Sequence, residues 1–249
     1  MFSKAVPYEW LPPSDPLLKE YLNYNPHHNA YTRRQNFPGR NPGETDRGGW
    51  RGYDRVYTKY LSPLKEQKLN FLEIGVYYGY GVLAWKRYFT QSDITGVDNS
   101  FTDSIKNEFV KIHKTFPEFN DIRIEIFDTT EPVPWNRFIE KFDIIIDDGG
   151  HHPDNQFGTF GNAWSLLKKG GLYFMEDISH RYTDNKLAKI DTLLYNIHRK
   201  GNIVEIYSHE NLGLKHILET PNLRKQYGIH PNAPDIHKEY IAVIEKYEE

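Results

Sequence analysis

The stretch FLEIGVYYGYG, residues 71–81, decides how the chain is read. Phe71, Leu72 and Ile74 form a short apolar run of the kind that fills a strand buried on both faces, and Glu73 is its one charged member. Gly75, Gly79 and Gly81 then punctuate a turn, and residues 82–89 resume at helical spacing. The spacing is Glu-x-Gly-x-x-x-Gly-x-Gly. A dinucleotide fingerprint, Gly-x-Gly-x-x-Gly, would instead set two glycines around one residue at the start of the turn, bringing a pyrophosphate onto a helix N-terminus. A glycine turn preceded by a carboxylate suits a ligand with a cationic or amino-acid end. Such turns also occur in α/β proteins for packing reasons alone.

Outward from this stretch the pattern alternates. Strands are expected at 71–74, 93–97, 122–126, 142–147 and 171–175, with helices at 80–89, 103–115, 134–140 and 154–168 between them. Short apolar strands separated by helices imply βαβ units and a mainly parallel sheet, with ligands beyond the carboxyl ends of the strands. A helix at 184–200 and strands at 202–208 and 239–246 follow, and these last two supply an antiparallel hairpin that brings the sheet to seven strands. Upstream, Tyr53, Val56, Tyr57, Tyr60 and Leu61 share one helical face, closed by Pro63. Residues 1–44, rich in Pro, Asn, Tyr and Arg, read as an N-terminal extension or arm outside the core, with a short helix at 16–24; 45–249 form the main domain. The arm packs on the surface or on another subunit, or covers a substrate with Tyr31, Arg33, Arg34 and Phe37.

Composition narrows the function. In 249 residues, 38% hydrophobic and 15% aromatic content supports a substantial core, while the net charge of −3 and the lack of a Lys/Arg stripe argue against nucleic acid as a partner. There is no cysteine, so thiolate chemistry is excluded and any metal must take oxygen or imidazole ligands. Neither a signal-like h-region nor a run of about 18 apolar residues is present, so a cytoplasmic protein without a membrane partner is expected.

The acidic residues gather at strand ends. Asp98 closes the second strand, where a carboxylate can accept both hydroxyls of a ribose, although an Asp there can equally cap the next helix. Asp147 and Asp148 close the fourth strand in FDIIIDDGGHHPDNQ, and Glu176 and Asp177 close the fifth in GGLYFMEDISH. Four carboxylates on one rim repel unless some are protonated or a cation lies among them, and a hard divalent ion such as Mg²⁺ is the economical resolution; otherwise some cap helices and the rest face solvent. His151 follows Asp148 by three residues across Gly149 and Gly150, close enough to act as a general base, with His152 beside it.

Together these motifs resemble the metal-dependent sugar O-methyltransferases of the macrocin, mycinamicin and rhamnosyl type, with their cephalosporin-hydroxylase-like relatives, in the class I S-adenosylmethionine (SAM) superfamily. The resemblance runs from about Thr45 to Lys246. It covers Thr-Asp-Arg at 45–47, the LEIGV turn, the GVD strand end, Asp-Asp-Gly-x-His and the later Glu-Asp. It implies a Rossmann-like α/β fold with helices on both faces of the sheet. It also implies Mg²⁺ on Asp148, Glu176 and Asp177, with His151 as base. Asp128 would contact the adenine amino group, and Thr45, Glu73, Gly75, Gly79, Asp98 and Asp147 fall on the SAM side. This chain has Gly150 where the family often has Ser, and its second histidine leaves the base open between His151 and His152.

The implied reaction moves the methyl of SAM to a hydroxyl of a glycoside, nucleotide sugar or glycan end. Trp50, Tyr53 and Tyr182 lie nearest in sequence to offer a face to the sugar. The resemblance also allows a homo-oligomer. A catechol-type Mg²⁺-dependent methyltransferase would share SAM and metal but use another base. A non-catalytic SAM- or carbohydrate-binding module would be expected to have lost part of the set Asp148, His151, Glu176 and Asp177.

Overall fold

The computed structural model describes residues 11–22, 47, 53–179, 184–200, 202–208 and 239–247. Thr45, Trp50 and Tyr182 lie outside the described residues, as do Tyr31, Arg33, Arg34 and Phe37. The strands are β1 (Asn70–Ile74), β2 (Asp93–Asp98), β3 (Arg123–Ile126), β4 (Phe142–Asp147), β5 (Leu167–Ser179), β6 (Ile203–Ser208) and β7 (Glu239–Glu245). They form one seven-stranded sheet in the order β3-β2-β1-β4-β5-β7-β6. The first five are parallel to their neighbours, and β7 joins antiparallel to both β5 and β6. The strand order reverses between β1 and β4, the switch point where an open α/β sheet leaves a crevice at its carboxyl edge.

Helices α1 (Pro16–Leu22), α2 (Tyr53–Leu61), α3 (Tyr80–Tyr88), α4 (Asp103–Thr115), α5 (Pro153–Ala163) and α6 (Asp184–Arg199) cover the sheet. The two-residue period of a strand sorts its side chains between two cores. Phe71, Ile144, Ile146 and Phe174 pack with Leu18, Leu22, Tyr57, Trp85 and Phe109 from α1 to α4. Leu72, Ile74, Ile145 and Tyr173 pack with Phe160, Ile190 and Leu194 from α5 and α6. Glu73 therefore shares the face of Phe71, towards α2 and α3, and Glu176 shares the face of Phe174. Asp147 shares the face of Ile145.

Three expectations needed correction. The helix expected at 134–140 is a 3₁₀ turn, Val133–Arg137, because Pro134 has no N–H to extend a ladder. The helix expected to reach 168 ends at Ala163, and β5 begins at Leu167, four residues early. Gly170, at φ +76°, lets this bulged stretch bond to Lys246 through its N–H, and Lys246 bonds back to the Gly171 carbonyl. Part of the expected extension also belongs to the core: Asp15 caps α1 by accepting from the Leu17 and Leu18 N–H groups, and Leu18 and Leu22 are fully buried.

Away from the sheet's carboxyl rim, α2 is tied to β6 through Glu205, whose carboxylate accepts from Lys59 at 2.5 Å and from the hydroxyls of Tyr60 and Tyr207. Burial pushes the Glu205 pKa up, but these bonds hold it below the ordinary value. A depressed carboxylate adds stability above its unfolded pKa of about 4.3 and loses it as pH falls through the folded value. Glu205→Gln is thus expected to lower the unfolding free energy at pH 7 by up to about 1 kcal/mol, as for a half-exposed pair, with the deficit closing at pH 3 in urea titrations.

Candidate functional site

The carboxyl ends of β1, β2 and β4 open on a cleft of about 450 Å³. Gly75, at φ +89°, begins the turn after β1 at its floor. A Cβ there would lie 2.1 Å from the Asp148 carbonyl oxygen, so this glycine is needed where the chain leaving β4 crosses it. Asp148 N–H donates to the Ile74 carbonyl at 2.9 Å, locking the two turns together. On the β2 side, the Asp98 carboxylate accepts from Tyr77 N–H at 2.7 Å and Ser100 N–H at 3.1 Å. Both oxygens are thereby fixed at the cleft wall with lone pairs to spare for a diol. Thr129 lines the wall beside it, its carbonyl held by Trp135 Nε1 and Asn162 Nδ2.

Across the cleft stand Asp148, His151 and Asp177, each offering one donor atom within 4.8 Å of the others. His151 Nε2 is 3.6 Å from Asp177 Oδ2. His152 is engaged differently, because its Nδ1 accepts from Asp154 N–H as the N-cap of α5. The structure thus brings Gly75, Asp98, Asp148, His151 and Asp177 to one cleft.

The remaining residues singled out in the sequence lie elsewhere. Gly79, at φ +88°, starts α3 and faces Phe109 and Phe119. Asp128 is exposed and accepts from the N–H and hydroxyl of Thr130. Asp147 is buried under the rim, bonded to the Tyr173 hydroxyl at 2.7 Å; burial pushes its pKa up to about 7 against the pull of Tyr173 and Gly149. Tyr53 is fully buried and presents no open ring face; its hydroxyl donates to Asp177 Oδ1 at 3.1 Å.

Glu73 and Glu176 meet on the α2 side around Arg47. The guanidinium is 3% exposed and donates to Glu73 at 2.7 Å, Asp148 at 2.6 Å and Glu176 at 2.9 Å. The Tyr57 hydroxyl also bonds Glu176. Burial would lower the Arg47 pKa, but the three carboxylates hold it well above its ordinary value. Burial lifts Glu73 to about 7 and Glu176 to about 8 despite Arg47, with Asp148 adding repulsion to both. One guanidinium cannot balance three ionised carboxylates: protons on Glu73 and Glu176 relieve part of the repulsion near neutral pH, and a cation at the Asp148 edge would relieve it further. Gly81 leaves room for the pair: a Cβ there would lie 2.3 Å from Glu73 Oε1 and 2.5 Å from Arg47 Nη1.

Sequence reasoning gave Arg47, Tyr57 and Gln156 no role. The signal for Arg47 was a basic residue just ahead of a helix in a chain with surplus acid at its strand ends. Arg47→Leu would strand buried carboxylates and is expected to cost about 3–5 kcal/mol in urea unfolding. Arg47→Lys, which keeps the charge but lacks the fork, should fall between Leu and the parent. A loss below about 1 kcal/mol in Arg47→Leu, the size of a surface pair, would show that the network carries little of the fold.

No model of a known protein family matches the chain. Similar curated proteins do exist. The 8-demethyl-8-alpha-L-rhamnosyl tetracenomycin-C 2'-O-methyltransferase of Streptomyces olivaceus is 28% identical over 149 residues, 55% of this chain and 36% of that protein. The L-olivosyl-oleandolide 3-O-methyltransferase of Streptomyces antibioticus is 29% identical over 151 residues, 56% and 36% of the two chains. The mycinamicin VI 2''-O-methyltransferase of Micromonospora griseorubida is 29% identical over 140 residues, 52% and 31%. The aligned region thus spans about a third of each relative's length.

Among solved structures, MycE methyltransferase from the mycinamycin biosynthetic pathway, in complex with Mg and SAH, superposes with a TM-score of 0.56 at 19% identity, covering 93% of this chain and 55% of that one. An rRNA methylase from Streptococcus thermophilus gives 0.53 at 8% identity, covering 78% and 96%. The chain therefore has the Rossmann-like fold of class I SAM-dependent methyltransferases, and its homologues are sugar O-methyltransferases.

Proposed function

We propose that the chain is a SAM- and divalent-cation-dependent O-methyltransferase acting on a sugar hydroxyl, with Mg²⁺ as the ion. The observation that carries this reading is the meeting of two chemistries in one cleft: Asp98 and the Gly75 turn on one wall, Asp148, His151 and Asp177 on the other. The first wall fits a nucleoside. The second fits an acceptor whose proton must leave. The relatives named above, all acting on sugars, support a glycoside acceptor.

Asp98 is prepared to accept the ribose hydroxyls of SAM, whose sulfonium supplies the methyl group. The close backbone approach of Gly75 to Asp148 ties the turn after β1 to the turn after β4, which sets the two walls against each other. Asp148 and Asp177 would hold the ion, whereas Glu176, expected from the sequence to join them, is turned to the α2 side and held by Arg47 and Tyr57. A divalent ion held there would supply Lewis-acid chemistry that makes a sugar hydroxyl easier to deprotonate. His151 takes the proton on Nε2, and Asp177, 3.6 Å away, stabilises the imidazolium that results. His152, tied into the α5 cap, serves the helix.

Methyl transfer from SAM should be sought over glycosides, nucleotide sugars and catechols, read by mass gain of one methyl. EDTA is expected to abolish transfer while SAM binding persists in calorimetry; transfer that survives exhaustive chelation overturns the metal assignment. Preference for a catechol over every sugar overturns the substrate class. His151→Ala is expected to lower kcat about 10²- to 10⁴-fold and leave SAH binding intact. The same loss in His152→Ala instead would move the base to His152.

A further inference from the structure

We propose that Gln156 and Tyr53 are positioning residues that hold Asp177 in the one backbone conformation from which its carboxylate reaches Asp148 and His151. The inference rests on the metal reading above and concerns what builds that half of the site.

The strand pairing shows why Asp177 needs holding. Met175 pairs with Ala242 and Ile178 with Tyr240, so Glu176 and Asp177 together stand opposite Ile241 alone. This is a β-bulge, which leaves a residue without its ladder partner and re-aims its side chain. Asp177 takes the new aim at φ +54°, in the left-handed region that non-glycine residues seldom adopt. Such a conformation persists only where the surroundings enforce it. Relaxed to ordinary strand geometry, the side chain would return to the two-residue alternation and leave the cleft.

Two side chains from different helices supply the enforcement. Gln156 Nε2 donates to the Glu176 carbonyl at 2.8 Å. That carbonyl belongs to the peptide plane from which φ of Asp177 is measured, so fixing it fixes the reference for the strained rotation. Gln156 is itself placed by the first turn of α5, where its N–H donates to the His152 carbonyl at 3.0 Å. The Tyr53 hydroxyl, from α2, holds Asp177 Oδ1, while Oδ2 faces His151.

Packing alone does not account for Gln156. It is 3% exposed, and its Oε1 is buried without a hydrogen-bond partner among the described groups. An apolar side chain of similar size would avoid that cost, so the amide is explained by the bond its nitrogen makes.

The test is Mn²⁺ binding to the full chain by electron paramagnetic resonance, with SAH binding by calorimetry in parallel. Gln156→Leu is expected to weaken Mn²⁺ about 10- to 100-fold and leave SAH affinity unchanged, because Asp98 and the Gly75 turn are untouched. Tyr53→Phe should shift Mn²⁺ affinity in the same direction by a smaller factor. A folded Gln156→Leu protein with the parent's Mn²⁺ affinity overturns the proposal, as does an equal loss of SAH and Mn²⁺ binding, which marks a general structural defect. Should Gln156→Leu not fold, Tyr53→Phe decides, and parental Mn²⁺ affinity there overturns it. A parent chain that binds no Mn²⁺ overturns the metal reading and this inference with it.

Discussion

The guanidinium of Arg47 is the contact on which the carboxyl rim depends. Parallel strands end at the same level, and the two-residue period sends Glu73 of β1 and Glu176 of β5 to the same face. Asp148, just past β4, adds a third carboxylate between them. In a dry interior such a group is strongly unfavourable without a cation whose donors point in several directions. A guanidinium has that fork, and an ammonium does not. The arrangement also demands Gly81, since any side chain there would occupy the space of the ion pair. Through Tyr57 and Tyr53 the same rim fixes α2, and α1 closes over α2 and α3 with Leu18 and Leu22.

Much of this was legible in the sequence because alternation and length carry secondary structure well. The bounds of α4 and β4 follow from pattern alone, and so does the hairpin that ends the sheet. The face on which each acidic residue lies was not legible. Glu73, Asp147 and Asp177 all read as carboxylates at strand ends, yet register buries the first against Arg47 and the second against Tyr173, and a bulge turns the third into the cleft. Gly75 and Gly79 looked alike in the turn. One is required by the Asp148 backbone and the other by the start of α3 among two phenylalanines. Residues 11–22 looked peripheral for want of a long periodic run, although one buried helical turn is enough to cover an aromatic core.

The fold itself does not select the acceptor. An rRNA methylase shares it at a TM-score of 0.53, so the sheet and its crevice are compatible with very different substrates. What differs must lie in the side chains set at the rim. Here these divide into two groups with different supports. Asp98 is held by main-chain N–H groups of its own and the neighbouring turn, which any sequence supplies. Asp148 and Asp177 are held by side chains reaching from Arg47, α2 and α5, which only particular residues supply.

Strain follows the same division. Among the described residues, the non-glycine positions with positive φ are Tyr77 and Asp177, one on each side of the cleft. Tyr77 is compensated locally, because its N–H gains the Asp98 carboxylate at 2.7 Å. Asp177 is compensated at a distance, by Gln156 and Tyr53 from two helices that do not adjoin it in sequence. A substitution in α2 or α5 can therefore release Asp177 while Asp98 keeps its place. The Asp98 half of the cleft is in this sense built into the turn geometry, whereas the Asp148–Asp177 half exists only as long as the two helices remain docked on the sheet.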